Sequence, residues 1–149
     1  MKDVIYTRST VYSDHRGWFI ESWRSSDFVQ ENIAFSKRGV LRGLHIQAPP
    51  QGKLIRCLQG RIYDVVADPK TGEWAAFILE GDEPASLWIP RGYAHGYYVM
   101  SDTALVSYAV DAPRNEATER TIPYDSYGIE WPFFTEPILS VKDSLKVAA

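Results

Sequence analysis

An all-β domain, closed into a barrel or folded as two packed sheets, is the architecture this sequence predicts. Helical periodicity is scarce, and short β-rich segments recur at near-regular spacing between turn clusters. The chain is also rich in aromatic residues, with 5 Trp, 9 Tyr and 6 Phe, which favour pleated, half-buried surfaces. Its 149 residues, 45% hydrophobic and 23% charged, suit one domain with a sizeable core, taken here as residues 1–149.

The predicted strands run over 3–12, 17–24, 39–47, 53–58, 61–68, 74–80, 86–90, 95–100 and 103–111. Between them lie the turn clusters SDHRG, QAPPQG, LQG, DPKTG, EGDEP, PRG and SD. Asp68-Pro69-Lys70-Thr71-Gly72 has hairpin chemistry, with Pro presetting φ and Gly accepting positive φ. Residues 25–31 are expected to form a single helical turn and 139–147 a short terminal helix.

The net charge of −3 and pI near 5.6 carry no general nucleic-acid footprint, although a local Arg/Lys cluster could hold one pyrophosphate. Cys57 is the single cysteine, so no intrachain disulfide or thiolate metal site is available, and it reads as a buried inert thiol. MKDVIYTRSTVYSD contains no continuous apolar run, so a secretory leader is not expected, and no stretch is long enough to span a bilayer. A soluble protein in the reducing cytoplasm is the expectation.

The stretch GVLRGLHIQAPPQGKLIRCLQG, residues 39–60, sets a problem: Arg42, His45, Lys53 and Arg56 interrupt two otherwise apolar strands. Strict alternation puts Arg42 and His45 on opposite faces. Gly43 between them is a natural bulge site, and a bulge would turn both side chains inward, onto one ligand. Of the other histidines, His15 falls in a turn cluster and reads as exposed. His95 lies in IPRGYAHG, which has the P-x-G-x-x-H form of the second cupin motif. The first motif of metal-binding cupins supplies two histidines and a glutamate. Here Gln47 stands in place of the second histidine and no Glu lies between Leu44 and Gly60. His45 and His95 alone are too few ligands, so no metal centre is expected.

Taken in order, GVLRGLHIQAPPQGKLIRCLQG, WIPRGYAHGY, IEWP and LSVKD resemble the dTDP-4-dehydrorhamnose 3,5-epimerase family, as do the earlier DHRGWFIE and QEN. The resemblance implies a cupin jelly-roll barrel that dimerises by exchanging N-terminal strands, within about residues 1–35. It implies cofactor-free epimerisation at C3, C5 or both of a nucleotide-linked, most simply dTDP-linked, 4-keto-6-deoxy sugar in cell-surface polysaccharide biosynthesis. Carried over by position, His45 is the general base, Asp143 its carboxylate partner and Tyr108 the acid. Arg42, Lys53 and His95 surround the sugar and its keto oxygen. Arg16, Glu21, Gln30 and Asn32 contact the nucleotide and pyrophosphate, Phe19 stacks, and Glu119 and Lys142 bind substrate.

The chemistry asks for the same residue types. Removing a proton beside a carbonyl needs a base that titrates near neutrality, and imidazole is the usual one. A carboxylate on its other nitrogen fixes the tautomer. The enolate needs preorganised positive charge, which Arg42 and Lys53 can supply, and inversion needs an acid on the opposite face. Taken singly, Asp143 reads as a helix-start or solvated charge, Tyr108 as a strand aromatic, Arg16 as a surface charge and Phe19 as core. Arg114 stands where the family often carries a second tyrosine, and Ala109, Ile33-Ala34 and Ile46 also depart from its pattern. Three other readings stay open: a ketoisomerase of the same fold, a non-catalytic carbohydrate-binding cupin, and a metal-dependent oxygenase, the last disfavoured by its missing ligands.

Overall fold

The computed structural model describes residues 1–145. Twelve strands and one short helix follow in order: β1 Ile5–Arg8, β2 Tyr12–Asp14, β3 Gly17–Phe19, β4 Gln30–Lys37, β5 Leu41–Ile46, β6 Lys53–Gln59, β7 Arg61–Ala67, β8 Trp74–Glu80, β9 Ala85–Ile89, β10 Ala94–Val99, β11 Thr103–Val110, β12 Arg120–Thr121 and α1 Val141–Ser144. Two antiparallel five-stranded sheets, ordered β1-β9-β6-β11-β4 and β12-β5-β10-β7-β8, pack as a jelly roll, and β2-β3 forms a separate hairpin. The predicted all-β architecture stands.

Side-chain alternation assigns the faces. Ile55 and Cys57 of β6, Leu87 and Ile89 of β9 and Ala104 and Val106 of β11 project from the first sheet into the shared core. They meet Ile62 and Val66 of β7, Leu79 of β8 and Tyr97 and Val99 of β10 from the second. The intervening β7 and β10 residues, Val65, Ala67 and Ala94, face the other way and are covered by Ile122, Ile129 and Trp131. With both faces of the second sheet covered, every residue of β10 is buried. Each fully buried aliphatic side chain contributes about 1.5–3 kcal/mol to this arrangement. Burial also pushes the Cys57 thiol up to about 11, consistent with an inert core group.

Three expectations need correction. Residues 25–29 form no helical turn, and the chain from Gln30 is already strand β4. The predicted 3–12 segment divides into β1 and β2, and 17–24 shortens to β3. The terminal helix spans four residues, its start capped by Ser140, whose hydroxyl accepts the Asp143 amide. The part of the 139–147 expectation beyond Leu145 lies outside the described residues. The Asp68–Gly72 hairpin joins β7 to β8 as expected, with Gly72 at φ +77°.

Candidate active site

The predicted bulge is present. On β10, His95 pairs with His45, but two residues on, Tyr97 pairs with Arg42, three residues back along β5. The extra β5 residue puts Arg42 and His45 on one face, the interior one that carries His95 and Tyr97. Gly43 makes this possible. Its φ is +118°, and a Cβ there would come within 2.6 Å of the His95 carbonyl oxygen.

The polar interior residues gather toward one end of the barrel, because each strand's alternation continues past the apolar core. A cavity of about 280 Å³ is lined there by Asn32 from β4, Arg42 and His45 from β5, Lys53 from β6, Tyr108 from β11 and Glu119. His45 is half-buried, and its Nε2 lies 2.7 Å from Asp143 Oδ1. Asp143 also accepts the Thr121 hydroxyl at 2.9 Å and the Gly43 amide at 3.1 Å. Burial opposes its ionisation, but the His45, Gly43 and Thr121 bonds outweigh it and hold the carboxyl below its ordinary range. An ionised Asp143 receives a proton-bearing Nε2, which leaves Nδ1 of His45 as the free lone pair.

Arg42 is fixed by Ser36 Oγ at 2.8 Å and the Phe35 carbonyl at 3.2 Å. Lys53 is buried, and its ammonium makes no hydrogen bond or ion pair within the described residues. Its desolvation lowers the ammonium to about 8, against the pull chiefly of Glu119. Tyr108 presents its ring edge to His95 at 5.9 Å and to Tyr97 at 6.1 Å. Burial, and then the neighbouring Tyr97, raise its phenol well above the ordinary value, so it holds its proton. Glu119 is bound by Arg114 at 3.0 and 3.3 Å and by Lys142. Burial opposes it, yet these two cations bring Glu119 down to about 2.

The structure therefore brings together His45, Asp143, Tyr108, Arg42, Lys53, Asn32, Glu119 and Lys142, with His95 directly across the strand pair from His45. Gln30 adjoins them, its amide donating to Asn32 at 2.7 Å while its oxygen accepts the Arg114 amide at 3.2 Å. Arg16 and Phe19 do not line this cavity; both are exposed on the β2-β3 hairpin, where Arg16 pairs with Asp14. Glu21 is ion-paired with Arg24 on the surface, and His15 is exposed as expected. Sequence reasoning missed Thr121, Ser36 and Asp64. Asp64 alone had a signal, a lone carboxylate inside the apolar run IYDVVA. Among the described residues no cluster of three or more His, Cys, Asp or Glu is placed to hold a metal ion.

The model for the dTDP-4-dehydrorhamnose 3,5-epimerase family matches residues 1–148. The chain belongs to that family. A dTDP-4-dehydrorhamnose 3,5-epimerase from Shigella flexneri is 40% identical over 95% of the chain and 88% of that protein. One from Neisseria gonorrhoeae is 39% identical over 96% of the chain, which spans 49% of that longer protein. The crystal structure of the Legionella pneumophila dTDP-6-deoxy-D-glucose-3,5-epimerase in complex with dTDP-4-keto-L-rhamnose superposes with a TM-score of 0.91. It shares 36% identity over 96% of this chain and 86% of that one. Membership in this epimerase family fits a fold whose interior ends in a polar cavity.

Proposed function

We propose that this chain epimerises a dTDP-linked 4-keto-6-deoxy sugar at C3, C5 or both, with His45 as base and Tyr108 as acid. One observation carries the reading: a carboxylate-bound imidazole and a protonated phenol share a cavity with two cations, Arg42 and Lys53. Nδ1 of His45 takes the proton from the carbon beside the ketone, and Asp143 stabilises the resulting imidazolium. The electron pair moves onto the keto oxygen, where Lys53 and Arg42 balance the enolate charge. Tyr108 returns a proton to the opposite face, and the proton held by His45 is passed through solvent to the tyrosinate. No net oxidation occurs, so the reaction calls for no redox cofactor. Glu119, Lys142, Asn32 and Gln30 position the substrate, and Arg114 reshapes the wall at the place of the family's second tyrosine.

Incubation with dTDP-4-keto-6-deoxyglucose, with the ring configuration read from proton couplings by NMR, tests the reaction. Inverted C3, C5 or both supports it. A carbonyl moved to the neighbouring carbon would make the protein a ketoisomerase, and tight binding without conversion of any nucleotide-linked 4-keto sugar would make it a binding protein.

Lys53 gives this mechanism a pH signature. Its cation is present below about 8 in the free protein and lost as pH rises through that value, so kcat/KM should fall along an alkaline limb centred there. Lys53→Arg, which cannot deprotonate in this range, should remove the limb while lowering the plateau. A wild-type kcat/KM flat across that range would contradict the enolate-stabilising role.

The working unit is proposed to be a cytoplasmic homodimer. Tyr12, Trp18 and Phe19 of the hairpin and Ile33 and Phe35 of β4 are exposed apolar side chains. Arg16, Phe19 and Glu21 lie off their own cavity, so a second copy would have to bring them to it. Sedimentation should find a dimer at micromolar concentration; a fully active monomer would refute this. The lone buried thiol of Cys57 suits a reducing compartment.

A further inference from the structure

Two histidine–carboxylate pairs stand side by side in the barrel. His45 on β5 is directly opposite His95 on β10, and each offers Nε2 to a carboxylate at nearly the same distance, 2.7 Å to Asp143 and 2.8 Å to Asp64. The carboxylates differ in everything else they touch. Asp143 takes two further donors, the Thr121 hydroxyl and the Gly43 amide, one on each oxygen. An amide N–H can only donate, and a carboxyl accepting on both oxygens is best satisfied as an anion.

Asp64 is fully buried, and His95 is the one hydrogen-bond partner of its carboxyl among the described residues; its Oδ1 has none. Lys53, whose charge favours an ionised Asp64, makes no hydrogen bond or ion pair to it. Tyr97, its cross-strand neighbour on β10, also leaves its hydroxyl without a partner. A carboxylate anion with one bare oxygen in a dry interior is costly; a neutral acid leaves only a carbonyl bare. The neutral form places its O–H on Nε2 of His95, and an imidazole that accepts at Nε2 carries its own hydrogen at Nδ1. Burial works in the same sense on both partners, raising Asp64 and lowering His95 toward their uncharged states.

We propose that Asp64 is a neutral carboxylic acid that fixes His95 as the Nδ1–H tautomer, giving the two adjacent imidazoles opposite polarity. His45 presents a lone pair and His95 presents a donor. Asp64 is thus a positioning residue acting through His95. Resting on the epimerase reading above, the role of that donor is to hydrogen-bond the ketone oxygen and then the enolate. It adds no further full charge beside Lys53 and Arg42 and keeps its proton throughout, the strategy of a neutral electrophile.

Nitrogen-15 NMR of the imidazoles in the substrate-free full chain tests the tautomers directly, and only three histidines need assignment. His95 should show a protonated Nδ1 and a bare Nε2, and His45 the reverse. Infrared difference spectra of wild type against Asp64→Asn should show loss of a protonated carboxyl band. His95 protonated at Nε2 alone or at both nitrogens, or an ionised Asp64 band, would overturn the proposal. These readouts need no turnover, so their failure leaves the epimerase reading standing, and an inactive protein would leave them intact.

Kinetics supply the functional arm. The Asp64→Asn amide can still donate to Nε2, so kcat should stay within about tenfold of wild type. Asp64→Leu cannot donate and should lower kcat by about 10²–10³ with little change in KM, the loss expected for one oxyanion donor. Equal losses in two variants that both fold, by amide NMR, would contradict the proposal.

Discussion

His45→Ala should abolish epimerisation and exchange of ring protons together, a loss of at least the roughly 10²–10⁴ that one positioned base supplies. His95 is no substitute: with Asp64 donating to its Nε2, as proposed above, it carries its hydrogen on Nδ1 and offers no lone pair to the cavity. Asp143→Asn should be nearly as damaging for a different reason. The Gly43 amide must face the new side chain's carbonyl, which turns its NH₂ toward Nε2 of His45 and Thr121. His45 then accepts at Nε2 and carries its hydrogen on Nδ1, the nitrogen proposed as the base. The fold should persist, as the thermal midpoint would check, while kcat falls. Wild-type kcat in Asp143→Asn would remove the dyad from the mechanism.

Tyr108→Phe should uncouple exchange from inversion. The ring remains, with its edge contacts to His95 and Tyr97, and only the hydroxyl is lost. His45 can still form the enolate and return a solvent-derived deuteron to the face it came from. Product inversion should fall by roughly 10²–10⁴ while deuterium enters the substrate without a change of configuration. Proton couplings and mass shift measured on one sample separate the two outcomes. Inversion at the wild-type rate would transfer the acid role to Arg114 or to solvent.

The barrel was legible because most of its strands bury one face conventionally. Strand β4 was not, because its alternation is inverted: Asn32 and Ala34 line the polar cavity and Ser36 is buried against Arg42, while Ile33 and Phe35 stand exposed. A pattern with polar residues inside and apolar ones outside reads as a loop or a helical turn to any rule that assumes an apolar core. The facing of Arg42 and His45 was readable from Gly43 alone, since a bulge is a local event. Thr121 and Asp64 were not: their importance depends on which carboxylate or imidazole they meet, and those partners are 22 and 31 residues away. Arg16, Phe19 and Glu21 were singled out by resemblance alone, and the single chain places them away from the cavity, Arg16 paired with Asp14 and Glu21 with Arg24.

Proton transfer by His45 is read in one incubation: wild type and His45→Ala, each with dTDP-4-keto-6-deoxyglucose in D₂O, followed by NMR. Wild type should carry deuterium at each inverted carbon beside the ketone, and His45→Ala should carry none and invert nothing. Inversion without deuterium, or unchanged wash-in when His45 is absent, would contradict proton transfer through this imidazole.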